Sequence, residues 1–431
     1  MCIDKIKEKL FKPALIIKIE ILIVLFERVM MQTLNMPRLI VGTVDFLNLI
    51  LLFFLFRNKE WKKYTRFIVT YLVILVVSLI VGILNFNKYG GNICFSLIEV
   101  RNIARFPIFF LSCAIFLDEE DWKFIYKILV IFCAINSLII LYQYFTYHPD
   151  ASSRGDFLNG LFGKNERGGN TFVNVLMLVV LTYMISAWRN KQIASLWFFI
   201  AVCVCLLIAA LIELKAFFFE VLVIYGWYLI CYKKSKKELL LNIILIALAV
   251  LVSVIGLSIM YREYPNFKGY MSIDGIKDQL FGNGYTGQGD LNRFTGIFTI
   301  ESKFFNHDFI KTMFGVGLGN ASESSILGTT LFYDTYANSN YKWFVATYMF
   351  TQTGVFGLIL YLSTFLFLFF KKKENDKYRM NTQIMCLLAL LLVFYNDTFL
   401  TDAGYLVYFA LAGGFVKSKV SEENKMIIQH N

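Results

Sequence analysis

Long apolar stretches alternate with shorter polar ones along nearly the whole chain. Most of the apolar stretches approach or reach the roughly 20 residues that a helix needs to cross a bilayer. The pattern therefore predicts an all-α fold, a polytopic transmembrane helix bundle of about twelve spans. Their predicted positions are 14–27, 38–56, 67–86, 97–117, 124–146, 171–188, 195–212, 216–232, 239–260, 342–370, 380–395 and 399–416.

The stretch 195–232 counts as two spans because the sequence IELKAFFFEVL (212–222) interrupts it. A charged side chain at the bilayer centre costs roughly 2.5–3.5 kcal/mol on insertion scales, so Glu213 and Lys215 favour a turn at the membrane surface. This turn also keeps the basic short loops, such as KKSKKE (233–238), on one side of the membrane. The positive-inside rule then predicts a multi-pass protein of the cytoplasmic membrane with both termini in the cytoplasm.

This topology predicts four parts, and the composition agrees with a membrane protein. Only 17% of the residues are charged and 58% are hydrophobic, with a mean hydropathy of +0.60; soluble domains carry about 25% charged residues. The net charge of +11 is no evidence for nucleic-acid binding. The parts are spans one to nine (1–260), a large external loop (261–341), spans ten to twelve (342–416) and a cytoplasmic tail (417–431).

The large external loop is expected to be partly helical, because a structureless loop of this length is unusual. Within it, 291–305 has helical spacing that places Leu291, Phe294, Phe298 and Phe305 on one face. We expect an amphipathic helix there, with Asp290 as its N-cap. The sequence GVGLG (315–319) lacks the strand, Lys and Ser or Thr of a nucleotide-binding loop, so we interpret it as a tight turn.

Basic residues lie near the predicted external ends of several spans. Alone, each is most often a snorkelling or salt-bridged side chain. Together they suit an anionic lipid headgroup, because guanidinium groups match phosphate oxygens and a helix N-terminus favours anions. The candidates for binding pyrophosphate are Arg101, Arg105, Arg167, Lys215 and Arg293.

Candidate acids and bases are few on the predicted external side. His307 and Glu301 lie close together after and within the predicted amphipathic helix. Partial burial would favour the protonated form of the Glu301 carboxyl, although a salt bridge to Lys303 or Arg293 is the simpler interpretation. Glu220 lies one turn into a span and is expected to face the bundle interior. No His or Cys spacing indicates a metal site, and no cofactor is expected.

These features together resemble the bacterial O-antigen polymerase and O-antigen ligase superfamily, which includes capsular and exopolysaccharide polymerases. The resemblance is clearest between about 160 and 362. GLFGKNERGGNTF (160–172) is similar to a Gly–Asn segment before a span, and IELKAFF (212–218) to a short external turn with Lys215 at an Arg position. Further similar segments are NRFTGIF (292–298), MFGVGLGN (313–320) and the closing span with Gly354 and Gly357.

The resemblance implies a metal- and nucleotide-independent glycosyltransferase. A glycan carried on undecaprenyl pyrophosphate would be transferred to another lipid-linked repeat unit at the outer face of the membrane. Arg293, Lys215, Glu301 and His307 would be the catalytic candidates. Its implied partners are the undecaprenyl-pyrophosphate-linked oligosaccharide, membrane lipid, and a flippase and a chain-length regulator of the same pathway.

Two alternatives remain open at this point. The ligase branch has a His before the closing span, whereas this chain has Asn338, Ser339 and Asn340 there, which favours a polymerase. A transporter of lipid-linked oligosaccharide should carry charges deep in its spans and broken helices. The sequence places its charges near the outer ends and has only 5 prolines, which favours an enzyme over a transporter.

Overall fold

The fold is an all-α bundle, seen in a computed structural model that describes most of the chain. The described residues are 12–147 without 33 and 38, 157–163, 169–231, isolated positions between 244 and 262, and 273–417 without 283, 287 and 288. The helices before the long loop are α1 (Pro13–Gln32), α2 (Leu39–Arg57), α3 (Thr65–Tyr89), α4 (Ile93–Phe116), α5 (Glu119–Thr146), α6 (Gly169–Arg189), α7 (Ser195–Leu211) and α8 (Lys215–Cys231).

The predicted large loop is indeed partly helical over 273–341. It contains α9 (Ile273–Phe281), α10 (Gly296–Thr299) with a π-helical continuation (Ile300–Phe304), α11 (Phe309–Phe314) and α12 (Leu331–Tyr336). Two short antiparallel strands, β1 (Glu323–Ser324) and β2 (Gly328–Thr329), precede α12. The chain then forms α13 (Val345–Phe370), α14 (Arg379–Tyr395) and α15 (Ala403–Ala412).

Helices occupy the predicted apolar segments, apart from 239–260, which lies outside the described residues except at isolated positions. Five helical segments are long and apolar enough to cross a membrane: Lys59–Tyr89, Glu119–Thr146, Gly169–Arg189, Val345–Phe370 and Asp376–Tyr395. Large apolar side chains such as Phe56, Leu84 and Phe370 are exposed on the bundle, as lipid-facing side chains would be. The fold class is confirmed, while the number of spans and their sides stay predictions.

The predicted turn inside 195–232 is confirmed. Helix α7 ends at Leu211, α8 begins at Lys215, and the two pack against each other. Glu213 has φ +59°, and the amide of Leu214 donates to the carbonyl of Ala209 at 2.8 Å. A left-handed residue with such a bond is a common end for a helix.

The centre of the bundle is α15, a short helix that is apolar on all sides. Every residue of Ala403–Ala412 is buried, which is expected of a helix without a polar face. It packs against α1, α4, α6 and α14. Because α15 contacts four helices, the segment that leads into it, 396–402, lies close to the ends of several helices.

The predicted amphipathic helix over 291–305 is wrong in its length and its face. Regular helix begins only at Gly296, and the next turn is π-helical. Leu291 and Phe305 are buried, but Phe298 is 66% exposed. A π turn inserts an extra residue and rotates the face that follows, which a constant helical period cannot anticipate.

Asp290 is not the predicted N-cap. Thr295 precedes the first helical turn, and its side chain makes no capping hydrogen bond. The Asp290 carboxylate instead accepts a hydrogen bond from Nδ2 of Asn340 at 2.5 Å. Asp290 therefore ties the start of this segment to the residues just before α13.

Helix α13 is broken at Gly354, which has φ +65° and ψ −169°. The carbonyls of Thr351 and Gln352 accept hydrogen bonds from the amides of Val316 and Gly317, at 2.9 and 3.0 Å. Val316 and Gly317 belong to GVGLG (315–319), the glycine-rich turn. This turn thus donates hydrogen bonds to the backbone carbonyls that the break leaves without helical partners, as an interrupted helix in a bilayer requires.

The same turn lies directly against α3. Gly315, Gly317 and Gly319 all have positive φ, in agreement with the predicted turn. A Cβ atom added at Gly317 would lie 2.1 Å from the amide nitrogen of Gly82. Only glycine permits this backbone geometry and this close approach, so GVGLG packs a turn between α3 and α13.

Candidate functional site

The segment 396–402, which connects α14 to α15, collects the polar groups of one end of the bundle. We call this end the 396–402 end. The carbonyl of Asn396 accepts a hydrogen bond from the amide of Val345, the first residue of α13, at 3.1 Å. The Oγ1 of Thr171, near the start of α6, donates to Asp397 at 3.0 Å. The N-terminal ends of α6, α13 and α15 therefore meet at this segment.

Arg105 binds the C-terminal part of the segment through a buried ion pair. Its Nη1 lies 2.5 Å from Oδ1 of Asp402, and the two side chains are only 4% and 9% exposed. Its Nη2 donates to the carbonyl of Leu400 at 2.9 Å, and its guanidinium carbon lies 4.4 Å from the ring centroid of Phe106. Arg105 is thus engaged in holding the segment in place.

Arg101, one turn before Arg105 on α4, is more accessible. Its Nη2 lies 2.7 Å from Oδ2 of Asp45 on α2, and its side chain is 37% exposed. Its Nη1 donates to Oδ1 of Asn102 at 3.1 Å. Its Nε also donates to Oδ1 of Asp45 at 2.9 Å, so the pair is bidentate, and a phosphate would have to displace Asp45 from a partly exposed guanidinium.

Arg293 approaches the same end from the long loop. Its Nη1 donates to the carbonyl of Tyr395, the last residue of α14. The guanidinium carbon lies 4.0 Å from the ring centroid of Tyr395 and 5.0 Å from that of Phe344. The side chain is half-buried, and its hydrogen bond links the long loop to the end of α14, just before 396–402.

Lys215 is the first residue of α8, and α8 starts at the 396–402 end. The amide of Asn174, on the first turns of α6, donates to Glu220, on the first turns of α8, at 3.3 Å. The two helices therefore begin at the same end of the bundle. Glu220 is fully buried, which confirms that it faces the interior. Arg167 lies outside the described residues.

Glu301 and His307 form a pair, and among the described residues no hydrogen bond or ion pair joins it to 396–402. The Nδ1 of His307 lies 2.8 Å from Oε1 of Glu301, and the imidazole is 72% exposed. The expected partners of Glu301 are wrong, since Lys303 lies 4.2 Å from the ring centroid of Tyr285 and Arg293 contacts α14. The pair lies at the surface of the long loop.

Sequence reasoning missed Asp397 and Asp402, although both lie in NDTFLTD (396–402), a short polar connection between two apolar segments. Asp397 is half-buried, and this burial raises the pKa of its carboxyl; the hydroxyl of Thr171 and the charge of Arg28 act in the opposite direction. A carboxyl of raised pKa in the segment that Arg105 contacts is a candidate acid or base. The presence of two carboxylates in such a short connection between apolar segments could have indicated a site there.

A small apolar cavity lies beside these polar groups, between α4, α13 and the segment 396–402. Its lining includes Asn102, Phe106, Tyr348, Met349 and Phe399. Asn102 joins it to Arg101 through their hydrogen bond. The site therefore combines cations, a carboxyl and an apolar recess at one end of the bundle.

No family model, curated protein or solved structure matches this chain.

Proposed function

We propose that this protein is a polysaccharide polymerase of the cytoplasmic membrane, which joins undecaprenyl-pyrophosphate-linked repeat units at the outer face. The observation that carries the proposal is the convergence at 396–402. Arg105 donates to this short segment, and Arg293 donates to the residue just before it. The N-terminal ends of α6, α13 and α15 also meet at the segment. Arginines beside helix N-termini form a favourable environment for a pyrophosphate.

The arginines have different roles in this proposal. Arg101 and Arg293 are the candidates to contact the pyrophosphate, because one is partly exposed and the other is half-buried at the segment. Arg105 is a positioning residue, since its guanidinium is buried and already bonded to Asp402 and Leu400. Lys215 supports them from the start of α8, which lies at the same end.

The reaction needs charge stabilisation more than a strong base. An acceptor hydroxyl attacks the anomeric carbon of the donor, the bond from that carbon to the pyrophosphate oxygen breaks, and its electron pair stays on the pyrophosphate. Fixed cations in a poorly hydrated site stabilise this growing charge.

We assign the acceptor proton to Asp397 rather than to the pair of Glu301 and His307. Asp397 lies in the segment that Arg105 contacts, and Arg293 bonds Tyr395 just before that segment. Among the described residues, no hydrogen bond or ion pair joins the pair of Glu301 and His307 to this segment. Burial also raises the pKa of Asp397, which moves a carboxyl towards the range useful for general-base catalysis.

The first test of the proposal is polymerisation by the purified protein in liposomes that contain a lipid-linked repeat unit. We expect a ladder of longer glycans without added nucleotide. Arg293→Ala and Arg101→Ala should each reduce the rate by about 10²–10³-fold, the usual loss for a group that stabilises transition-state charge. Lys215→Ala should also shorten the ladder.

The matched control is Arg57→Ala, which removes an exposed arginine from the opposite end of α2. Arg57 lies 4.3 Å from the ring centroid of Phe53 and not at the site. It should leave the ladder unchanged. Normal ladders from both Arg293→Ala and Arg101→Ala would refute the pyrophosphate assignment.

The base assignment makes a separate prediction. Asp397→Asn should lower the polymerisation rate by about 10²–10⁴-fold, the range of a lost general base, while His307→Gln should change it little. In the wild type the rate should fall as the pH drops through the raised pKa of Asp397, because the protonated carboxyl cannot accept a proton. A large loss in His307→Gln with an active Asp397→Asn would reverse the assignment.

A transporter of lipid-linked oligosaccharide is the second candidate, and two structural features favour it. Helix α13 is broken at Gly354, and Glu20 is buried near the middle of α1. Both are features of transporters. The lipid-linked repeat units that accumulate after deletion discriminate the candidates, since loss of a polymerase leaves them on the outer leaflet and loss of a transporter on the inner leaflet.

A further inference from the structure

Helix α1 carries two buried carboxyl groups that the proposed reaction does not use. Glu20 and Glu27 are seven residues apart, which is two helical turns, so they lie on the same face of α1. Glu20 is 0% exposed and Glu27 is 3% exposed. Within the part of the chain that the structure describes, neither oxygen of Glu20 has a hydrogen-bond partner, and Oε2 of Glu27 also has none.

The charges that act on Glu20 are themselves negative. They belong to Asp45 on α2 and to Asp402 before α15. The arginines that face this region from α4 are each paired with one of those carboxylates, Arg101 with Asp45 and Arg105 with Asp402. Among the described residues, an ionised Glu20 would therefore be a buried charge with no counter-charge of its own, which costs several kcal/mol.

The other described groups around Glu20 do not provide a cation. Cys113 of α4 and Tyr405 of α15 lie close enough to interact with its charge. The turn 160–162, which also packs on α1, has the sequence GLF and no titratable side chain. On α1 itself, Lys18 forms an ion pair with Asp121.

Glu27 lies on the part of α1 that faces the 396–402 end. The charges of Asp402, Arg28 and Arg105 act on its carboxyl, and the charge of Arg28, the next residue, also acts on Asp397. Glu27 therefore lies between Glu20 and that end of the bundle.

We infer that Glu20 is a proton-binding site inside the bundle, reached from the 396–402 end past Glu27. A proton needs only one carboxyl oxygen, and Glu20 offers two without a partner. Intramembrane carboxyls of this kind occur in proton relays. This inference concerns proton binding by the bundle and holds for either candidate function.

The test is infrared spectroscopy of the full-length protein in liposomes near pH 7.5, where a protonated carboxyl absorbs apart from a carboxylate. We expect the difference spectrum of wild type and Glu20→Gln to show the loss of one protonated-carboxyl band. Loss of a carboxylate band instead, or of no band, would overturn the inference. A lost carboxylate band that shifts when Na⁺ replaces K⁺ would identify a metal-cation site in its place.

Glu220→Gln is the matched control, because it removes another fully buried glutamate that has Asn174 as a partner. It should leave the Glu20 band in place. Glu20→Gln should fold, since an amide has the shape and neutrality of the protonated acid. If it does not fold, Glu27→Gln decides the question: loss of a protonated-carboxyl band supports the route past Glu27, and no loss overturns it.

Discussion

Replacing Arg105 with Met should destabilise the folded protein by about 3–5 kcal/mol, the usual cost of removing one partner of a buried ion pair. The substitution leaves the carboxylate of Asp402 buried, at 9% exposure, without its cation. It also removes the hydrogen bond to the carbonyl of Leu400. The loss can be measured as a lower thermal midpoint and a smaller monodisperse fraction of the detergent-purified protein.

Arg101→Met provides the comparison within the same helix. Arg101 also pairs with an aspartate, but its side chain is 37% exposed and Asp45 is 28% exposed. Exposed pairs contribute about 0–1 kcal/mol, so this variant should lose much less stability than Arg105→Met. Equal losses in the two variants would contradict the view that Arg105 holds 396–402 in place.

A double variant separates the charge effect from packing. Arg105→Met combined with Asp402→Leu removes both charges and leaves no unpaired carboxylate. Since apolar replacements of buried ion pairs are often neutral or stabilising, the double variant should be more stable than Arg105→Met alone. A double variant as unstable as the single one would assign the loss to packing around Phe106 instead.

The helices could be predicted from the sequence because lipid imposes a simple rule on it. A spanning segment must satisfy its own backbone and present apolar side chains, so length and hydropathy locate it. The turn before Lys215 was predictable for the same reason, since Glu213 and Lys215 cannot lie in the middle of a span. These positions depend on local composition alone.

The interior of the site could not be predicted, because it depends on which helix ends meet. Arg105 and Asp402 are nearly 300 residues apart in the chain, and no local pattern pairs them. The break at Gly354 was equally hidden, since α13 reads as one continuous apolar segment and contains no proline. The π turn after Thr299 shifted the predicted face of 291–305 in the same unpredictable way.

Gly354→Ala should also cause a large loss of folded protein. Its φ of +65° and ψ of −169° lie in a region essentially restricted to glycine, which costs other residues on the order of 1–3 kcal/mol. A Cβ atom would lie 2.3 Å from the backbone carbon of Met313 and 2.4 Å from the amide nitrogen of Phe314. Relieving this overlap adds roughly 1–3 kcal/mol, and the thermal midpoint should fall accordingly.

Gly226→Ala distinguishes this effect from a general intolerance of alanine in the bundle. Gly226 lies within α8, and a Cβ atom there would meet nothing within 4 Å. Alanine is favoured over glycine in a helix by up to about 1 kcal/mol, so this variant should be as stable as the wild type or slightly more stable. If Gly354→Ala behaved like Gly226→Ala, the bonds from Val316 and Gly317 to the broken helix could not be essential. The glycine-rich turn would then contribute little to stability, because α13 would have become continuous at residue 354 without any loss of stability.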